Sequence, residues 1–273
     1  STPFGKKDKD GREKFFYKCS KDNKFKKFFV SAEDCPRHTR EFLQRERDRM
    51  TKLQYAQEYL AEFLDELMQF FDNDLIKRAM TIKKADAEVN MAQDRFLGVD
   101  IARMGEDDTV LCSLNRDKER LRMFNLTITQ KTKLTDTIDL ILEMDKRYRY
   151  KKIYIDDGGL GVGVFDVLLK NEQTRSKVIA INNASRSLDR DETKHKKLMK
   201  EDIYTHLKRI LEQGLIEVLD DPQIFSSLNS IQYEHTGEGR LKIFGSYSHI
   251  AEALTRAAYC TKDKSLNIFI RTF

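Results

Sequence analysis

The chain has 273 residues, 40% hydrophobic and 35% charged, with a formal net charge of +5. That length accommodates one sizeable core plus an appended piece, and the mild basic excess permits an acidic partner without demanding one. No apolar run approaches a membrane span, no signal peptide is visible, and the four cysteines Cys19, Cys35, Cys112 and Cys260 form no Cys-x-x-Cys pair. This argues against a membrane protein, a disulfide framework and a zinc ribbon, and predicts a soluble protein of a reducing interior. The start at Ser1-Thr2-Pro3, with no initiator Met, reads as a fragment or a processed product.

The first 27 residues set ten Lys and Arg against four acids, with Phe15, Phe16, Tyr17 and Phe25 interleaved. Two readings stay open: a solvated arm whose aromatics dock on a neighbour, or a contact to a phosphate backbone. From Thr39 to Met80 apolar residues such as Tyr55, Tyr59, Leu60, Phe63, Leu64 and Leu67 recur at spacings of three and four, predicting helix. The polar stretch Lys83 to Asp94 predicts a linker, so the chain divides into residues 1–90 and 91–273.

Beyond the linker, Phe96 to Ile101, Thr109 to Asn115 and Arg120 to Thr129 are strand-like runs, and their short connections predict antiparallel neighbours. Leu134 to Tyr148 suits a crossover helix, which lets the next strand, Lys152 to Asp156, lie parallel. A short helix over Val162 to Leu169 and a strand over Val178 to Ile181 follow. After these come a long helix over Lys197 to Gln213, a hairpin over Ser230 to Phe244 and a closing helix over His249 to Cys260. Three meander strands, then helix, strand, helix, strand, is the order of a ribonuclease H-like α/β fold: a mixed sheet, antiparallel then parallel, with flanking helices.

Within that order the acids stand out. Asp100 sits in an apolar strand, where burying a carboxylate is costly unless a compensating charge is shared with it. A divalent cation held with other acids is the usual answer. Asp156 and Asp157 end the apolar run Ile153-Tyr154-Ile155 and open a glycine-rich turn, Gly158-Gly159-Leu160-Gly161. Ligand sites of open α/β sheets collect beyond such strand ends. No Gly-Lys-Ser/Thr follows, so this is not a Walker loop, and the acids precede the glycines, unlike a dinucleotide fingerprint. His249 and Glu252, three apart behind the N-cap candidate Ser248, share a helical face and supply a third position. A His among the ligands suits manganese better than magnesium.

Taken together, Gly98-Val99-Asp100-Ile101-Ala102, Gly105-Glu106-Asp107-Asp108-Thr109, Asp156-Asp157-Gly158-Gly159-Leu160-Gly161 and His249 to Leu254 resemble the nuclease part of the large terminase subunit of tailed viruses. Ser1-Thr2-Pro3 resembles the coupling motif at the end of that family's ATPase core, and Gln57 to Phe63 the segment joining motor to nuclease. The resemblance implies that Asp100 and Asp156 are catalytic metal ligands, that His249 is the third ligand with Glu252 as its substitute, and that Asp107 is an auxiliary acid. Asp157 is a further candidate. It implies a DNA endonuclease using two Mg2+ or Mn2+ ions, with double-stranded DNA, the small terminase subunit and the portal protein as partners, in the cytoplasm of an infected host. The Walker elements would lie upstream, so no ATPase activity is expected of this chain. Arg186, Arg190, Lys194, Lys196, Lys197 and Lys200 form a basic run that either holds a DNA backbone or is a solvated loop. A junction resolvase, a hybrid nuclease or a non-catalytic assembly module are the competing readings.

Overall fold

The computed structural model describes residues 13–50, 55–56, 58–63, 68–85, 89, 91–102, 108–159, 161–185, 198–235, 241–245 and 247–263. At the centre are three antiparallel strands, β3 (Asp94–Asp100), β4 (Asp108–Asp117) and β5 (Arg120–Gln130). Each is dense in Val, Leu, Ile, Phe and Thr, which suit a pleated, buried surface. Helix α4 (Leu134–Tyr148) crosses over to β6 (Lys152–Ile155), which pairs parallel with β3. After α5 (Gly161–Lys170), β7 (Val178–Ala180) pairs parallel with β6. The ribonuclease H-like arrangement expected from the order of elements is the one the chain adopts.

The other edge of the sheet is built from pieces too short to carry a periodic signal. β8 (Ile216–Leu219) follows α6 (Met199–Glu212) and lies parallel to β5, and β2 (Met80–Ile82) lies parallel to β8. The seven-stranded order is therefore β2-β8-β5-β4-β3-β6-β7. Helix α7 (Pro222–Asn229), capped by the Asp221 side chain, leads from β8 into a second sheet. That sheet joins β1 (Met68–Gln69) to the hairpin β9 (Gln232–His235) and β10 (Leu241–Phe244). Within the stretch expected to be helical, Thr39 to Met80, α2 (Arg40–Arg49) and α3 (Asn73–Ala79) are helices, Tyr55, Ala56 and Glu58 are helical too, and β1 precedes α3; residues 51–54, 57 and 64–67 lie outside the described residues. An N-terminal helix, α1 (Phe15–Lys21), buries none of its residues.

A boundary expected between residues 90 and 91 would divide this core. Phe70, Phe71, Leu75 and Ile76, all ahead of it, lie in the same buried cluster as Phe96, Val110, Tyr204 and Leu254. The unit sharing one core thus reaches back at least to Phe70, because β2 is its edge strand and α3 covers that edge.

Successive strand residues point to opposite faces. On one face Phe96, Val110, Cys112 and Tyr154 pack with Ala253, Leu254 and Ala257 of the last long helix, α8 (His249–Ala258). On the other, Leu97, Val99, Leu111, Ile153 and Ile155 pack with Ile141, Val164 and Leu168 of α4 and α5. By this alternation Gly98, Asp100 and Asp108 all fall on the α8 face.

Candidate active site

The site forms where β3 and β6 end side by side. Val99 is in register with Ile155, and the Asp156 N–H donates to Val99 O at 3.4 Å, so Asp100 and Asp156 leave adjacent parallel strands at their carboxyl ends. Two glycines make room for the surroundings. A Cβ on Gly98 would lie 2.1 Å from Ala253 O and 2.4 Å from Ala257 N, so the missing side chain is what lets α8 lie on the strand. A Cβ on Gly161 would lie 1.6 Å from Asp156 O, so α5 can start close behind the carboxylate only with glycine there.

Seated on Gly98, α8 presents His249, Glu252 and Arg256, at spacings of three and four on one helical stripe. Arg256 is completely buried. Its Nη1 donates to Asp100 Oδ1 at 3.0 Å and lies 3.3 Å from Glu252 Oε2, and its Nη2 stands 3.1 Å from Asp156 Oδ2. Neither Nη2 nor Nε has an aligned hydrogen-bond acceptor. His249 Nδ1 lies 2.9 Å from Asp100 Oδ2, and a carboxylate only accepts, so this ring nitrogen carries the proton. Glu252 is further held by Tyr204 Oη at 2.8 Å, Asn183 Nδ2 at 3.1 Å and Lys200 Nζ at 3.0 Å.

Burial alone would push the Glu252 carboxyl up, but Arg256 and Lys200 bring it below the ordinary range. For Asp156, burial prevails over Arg256 and the Gly158 N–H, and its carboxyl lies above the ordinary range. The three carboxylates hold Arg256 higher than an ordinary guanidinium against its own burial. Tyr204, buried against Glu252, is pushed well up and stays a donor.

Asp100, Asp156, His249 and Glu252 are thus brought into one cluster. Asp157 follows in the same turn, with a buried Oδ1 that has no hydrogen-bond partner. Lys200, the last cation of the basic run, stands 3.0 Å from Glu252 with its side chain partly exposed. Asp107, Arg186, Arg190, Lys194, Lys196 and Lys197 lie outside the described residues. Sequence reasoning missed one member of the site and one acid on the same face of the sheet. Arg256 was detectable as Glu252's i,i+4 partner. Asp108, at the start of β4, has a half-buried side chain on the Asp100 face and a buried Oδ1 without a hydrogen-bond partner. Among the described residues, no three His, Cys, Asp or Glu side chains already form a metal cage; the guanidinium stands between the acids instead.

A family model described as the terminase RNaseH-like domain matches residues 97–261. The chain belongs to that family. The match runs from within β3 to just past α8 and so includes every site residue named above. Among solved structures, this terminase RNaseH-like domain is similar to the large terminase nuclease of thermophilic phage G20c, with TM-score 0.54 and 15% identity over 70% of this chain and 97% of that one. The Thermus phage P74-26 large terminase nuclease domain gives TM-score 0.54 and 14% identity over 70% and 96%. A large terminase from another thermophilic bacteriophage gives 0.62 and 11% identity over 95% of this chain and 60% of its own length. The G20c nuclease has also been solved with bound magnesium and with bound cobalt. No curated protein matches the chain in sequence. At these identities the likeness establishes the fold, and the family match establishes the kinship. No helix among the described residues is long and apolar enough to cross a membrane.

Proposed function

We propose that this chain is the nuclease of a viral DNA-packaging motor, an endonuclease that cuts concatemeric double-stranded DNA by metal-dependent phosphodiester hydrolysis. The observation that carries the reading is the convergence of Asp100, Asp156 and His249 from three separate elements, at the carboxyl end of the β3–β6 pair. Carboxylate oxygens with one imidazole fit Mg2+ or Mn2+, and the unpartnered buried Oδ1 of Asp157 adds a donor of the same kind.

Asp100 and Asp156 would hold two such ions, with His249 as third ligand and Glu252 as its substitute; Asp157 and Asp107 are the auxiliary acids. When bound, the ions supply an activated water and charge relief at the leaving 3′-oxygen. The protein's own residues position the rest. Gly98 fixes α8, His249 orients the second oxygen of Asp100, and Tyr204 and Asn183 fix Glu252. Arg186, Arg190, Lys194, Lys196, Lys197 and Lys200 supply phosphate contacts that are sequence-tolerant. We place the junction with an ATPase domain ahead of the shared core rather than at residue 90. The small terminase subunit and portal protein are its partners, and the infected cell's cytoplasm its location.

The test is a supercoiled plasmid incubated with Mn2+ and either the native protein or Asp100→Asn. Nicking by the native protein alone is expected. Equal nicking by both, or by neither, overturns the nuclease reading and leaves an assembly module. Preference for branched or RNA–DNA hybrid substrates over linear duplex would move the activity to a resolvase or hybrid nuclease.

A further inference from the structure

We propose that Arg256 is a built-in counter-cation of the acidic centre, competing with divalent metal for Asp100 and Asp156 and so keeping metal affinity low in the absence of DNA. This rests on the metal-centre reading above. The geometry is specific: one fully buried guanidinium faces Asp100, Asp156 and Glu252 at 3.0, 3.1 and 3.3 Å. Each contacting oxygen of Asp100 and Asp156 is a lone-pair donor that an entering ion would need.

The charge count points the same way. Asp100, Asp156 and Glu252 share two cations, Arg256 and Lys200, so two of their three charges are already neutralised before an ion arrives. An entering divalent ion therefore gains less from these acids and meets the guanidinium as a like charge. A DNA phosphate entering the site adds negative charge and removes the obstacle, because like-charge cost is steep where water is excluded. Arg256 also holds the acids together when no metal is present, since unpaired buried carboxylates would otherwise repel. Its Nε and Nη2, buried without aligned acceptors, make it a poorly satisfied occupant that an ion can displace.

Isothermal titration with Mn2+, without DNA and at one fixed pH, tests the idea on four proteins: native, Arg256→Gln, Arg256→Lys and Asp100→Asn. Arg256→Gln is expected to bind Mn2+ about tenfold more tightly than the native protein, the effect of about one unit charge removed near a partly solvated site. Arg256→Lys keeps the charge but cannot face two carboxylates at once, so it falls between them. If Arg256→Gln does not fold, the native and Lys proteins alone decide the order. Unchanged or weaker binding in both Arg256 variants, with binding abolished in Asp100→Asn, overturns the competition while leaving the metal centre standing. Binding that Asp100→Asn does not alter, or none in any protein, overturns the metal centre itself.

Discussion

Gly98 in β3 and Ala257 in α8 are in contact so close that a β-carbon on the glycine would lie 2.4 Å from the Ala257 nitrogen. This contact sets the height of α8 over the sheet, and with it the positions of His249, Glu252 and Arg256. Replacing Gly98 by Ala forces the helix outward. We expect a loss of about 3 kcal/mol, roughly 5–10 °C in melting temperature, as for overpacked cores. Nicking should fall further than the stability loss explains, because His249, the proposed third ligand, no longer stands beside Asp100. A variant with native melting temperature and native activity would contradict this account of the glycine.

Asp108 carries a buried oxygen without a hydrogen-bond partner on the face that bears Asp100. Such a group destabilises the fold unless something enters the site to use it. Asp108→Asn is therefore expected to leave the melting temperature unchanged or raise it by a few degrees, while plasmid nicking drops about tenfold or more. Thermal melts and nicking assays on the same preparation check both halves.

His206, on α6, predicts an acid-sensitive stability. Arg209 Nη2 donates to its Nδ1 at 3.2 Å, so Nε2 carries the proton and donates to Thr261 Oγ1 at 2.7 Å; Thr261 in turn donates to Ala258 O. Burial, then Arg209 and Lys262, pull the imidazole down to about 3 from 6.5. A lowered histidine means the unfolded chain binds the extra proton first. The contribution is fully present above pH 6.5 and is lost as pH falls from 6.5 towards 3. His206→Gln removes that slope, and its acid-unfolding midpoint, followed by circular dichroism, should move to lower pH. A midpoint that stays put would show that His206 is not what titrates.

Asp145, almost fully buried on α4, takes the Lys177 ammonium at 2.7 Å, the Tyr150 N–H at 3.0 Å and the Gln173 amide at 2.8 Å. These contacts tie the end of α4 to the turn before β7. Asp145→Ala orphans all three donors. It should cost about 2–3 kcal/mol in a denaturant titration, below the ~3–5 of a fully buried pair because Lys177 can turn to water. Nicking at temperatures well below the melt should be unaffected, since nothing in this cluster touches Asp100 or Asp156.

The limits of the sequence are visible in particular residues. β3, β4, β5 and α4 were legible because each repeats an apolar pattern over enough residues to show a period, and β6 because its short apolar run ends abruptly on two acids and a glycine turn. β8, with four residues, and β2, with three, carry no such pattern; they exist as strands because β5 offers an edge to β8 and β8 in turn offers one to β2. Lys200 read as one more cation in a basic run, and only packing turned it onto Glu252.

By itself the sequence determined where the acids stand along the chain: Asp100 and Asp156 at strand ends, and Glu252 one turn into a closing helix. Those are local facts, set by period-two alternation, glycine turns and the helical period of the last apolar stretch. Tertiary structure alone decided that Arg256, one turn beyond Glu252, also reaches Asp100, 156 residues away, and that Asp108 shares the Asp100 face. The reason is physical: a helix stripe meets a strand end only through close packing over Gly98, and no local pattern encodes which buried charge that packing selects.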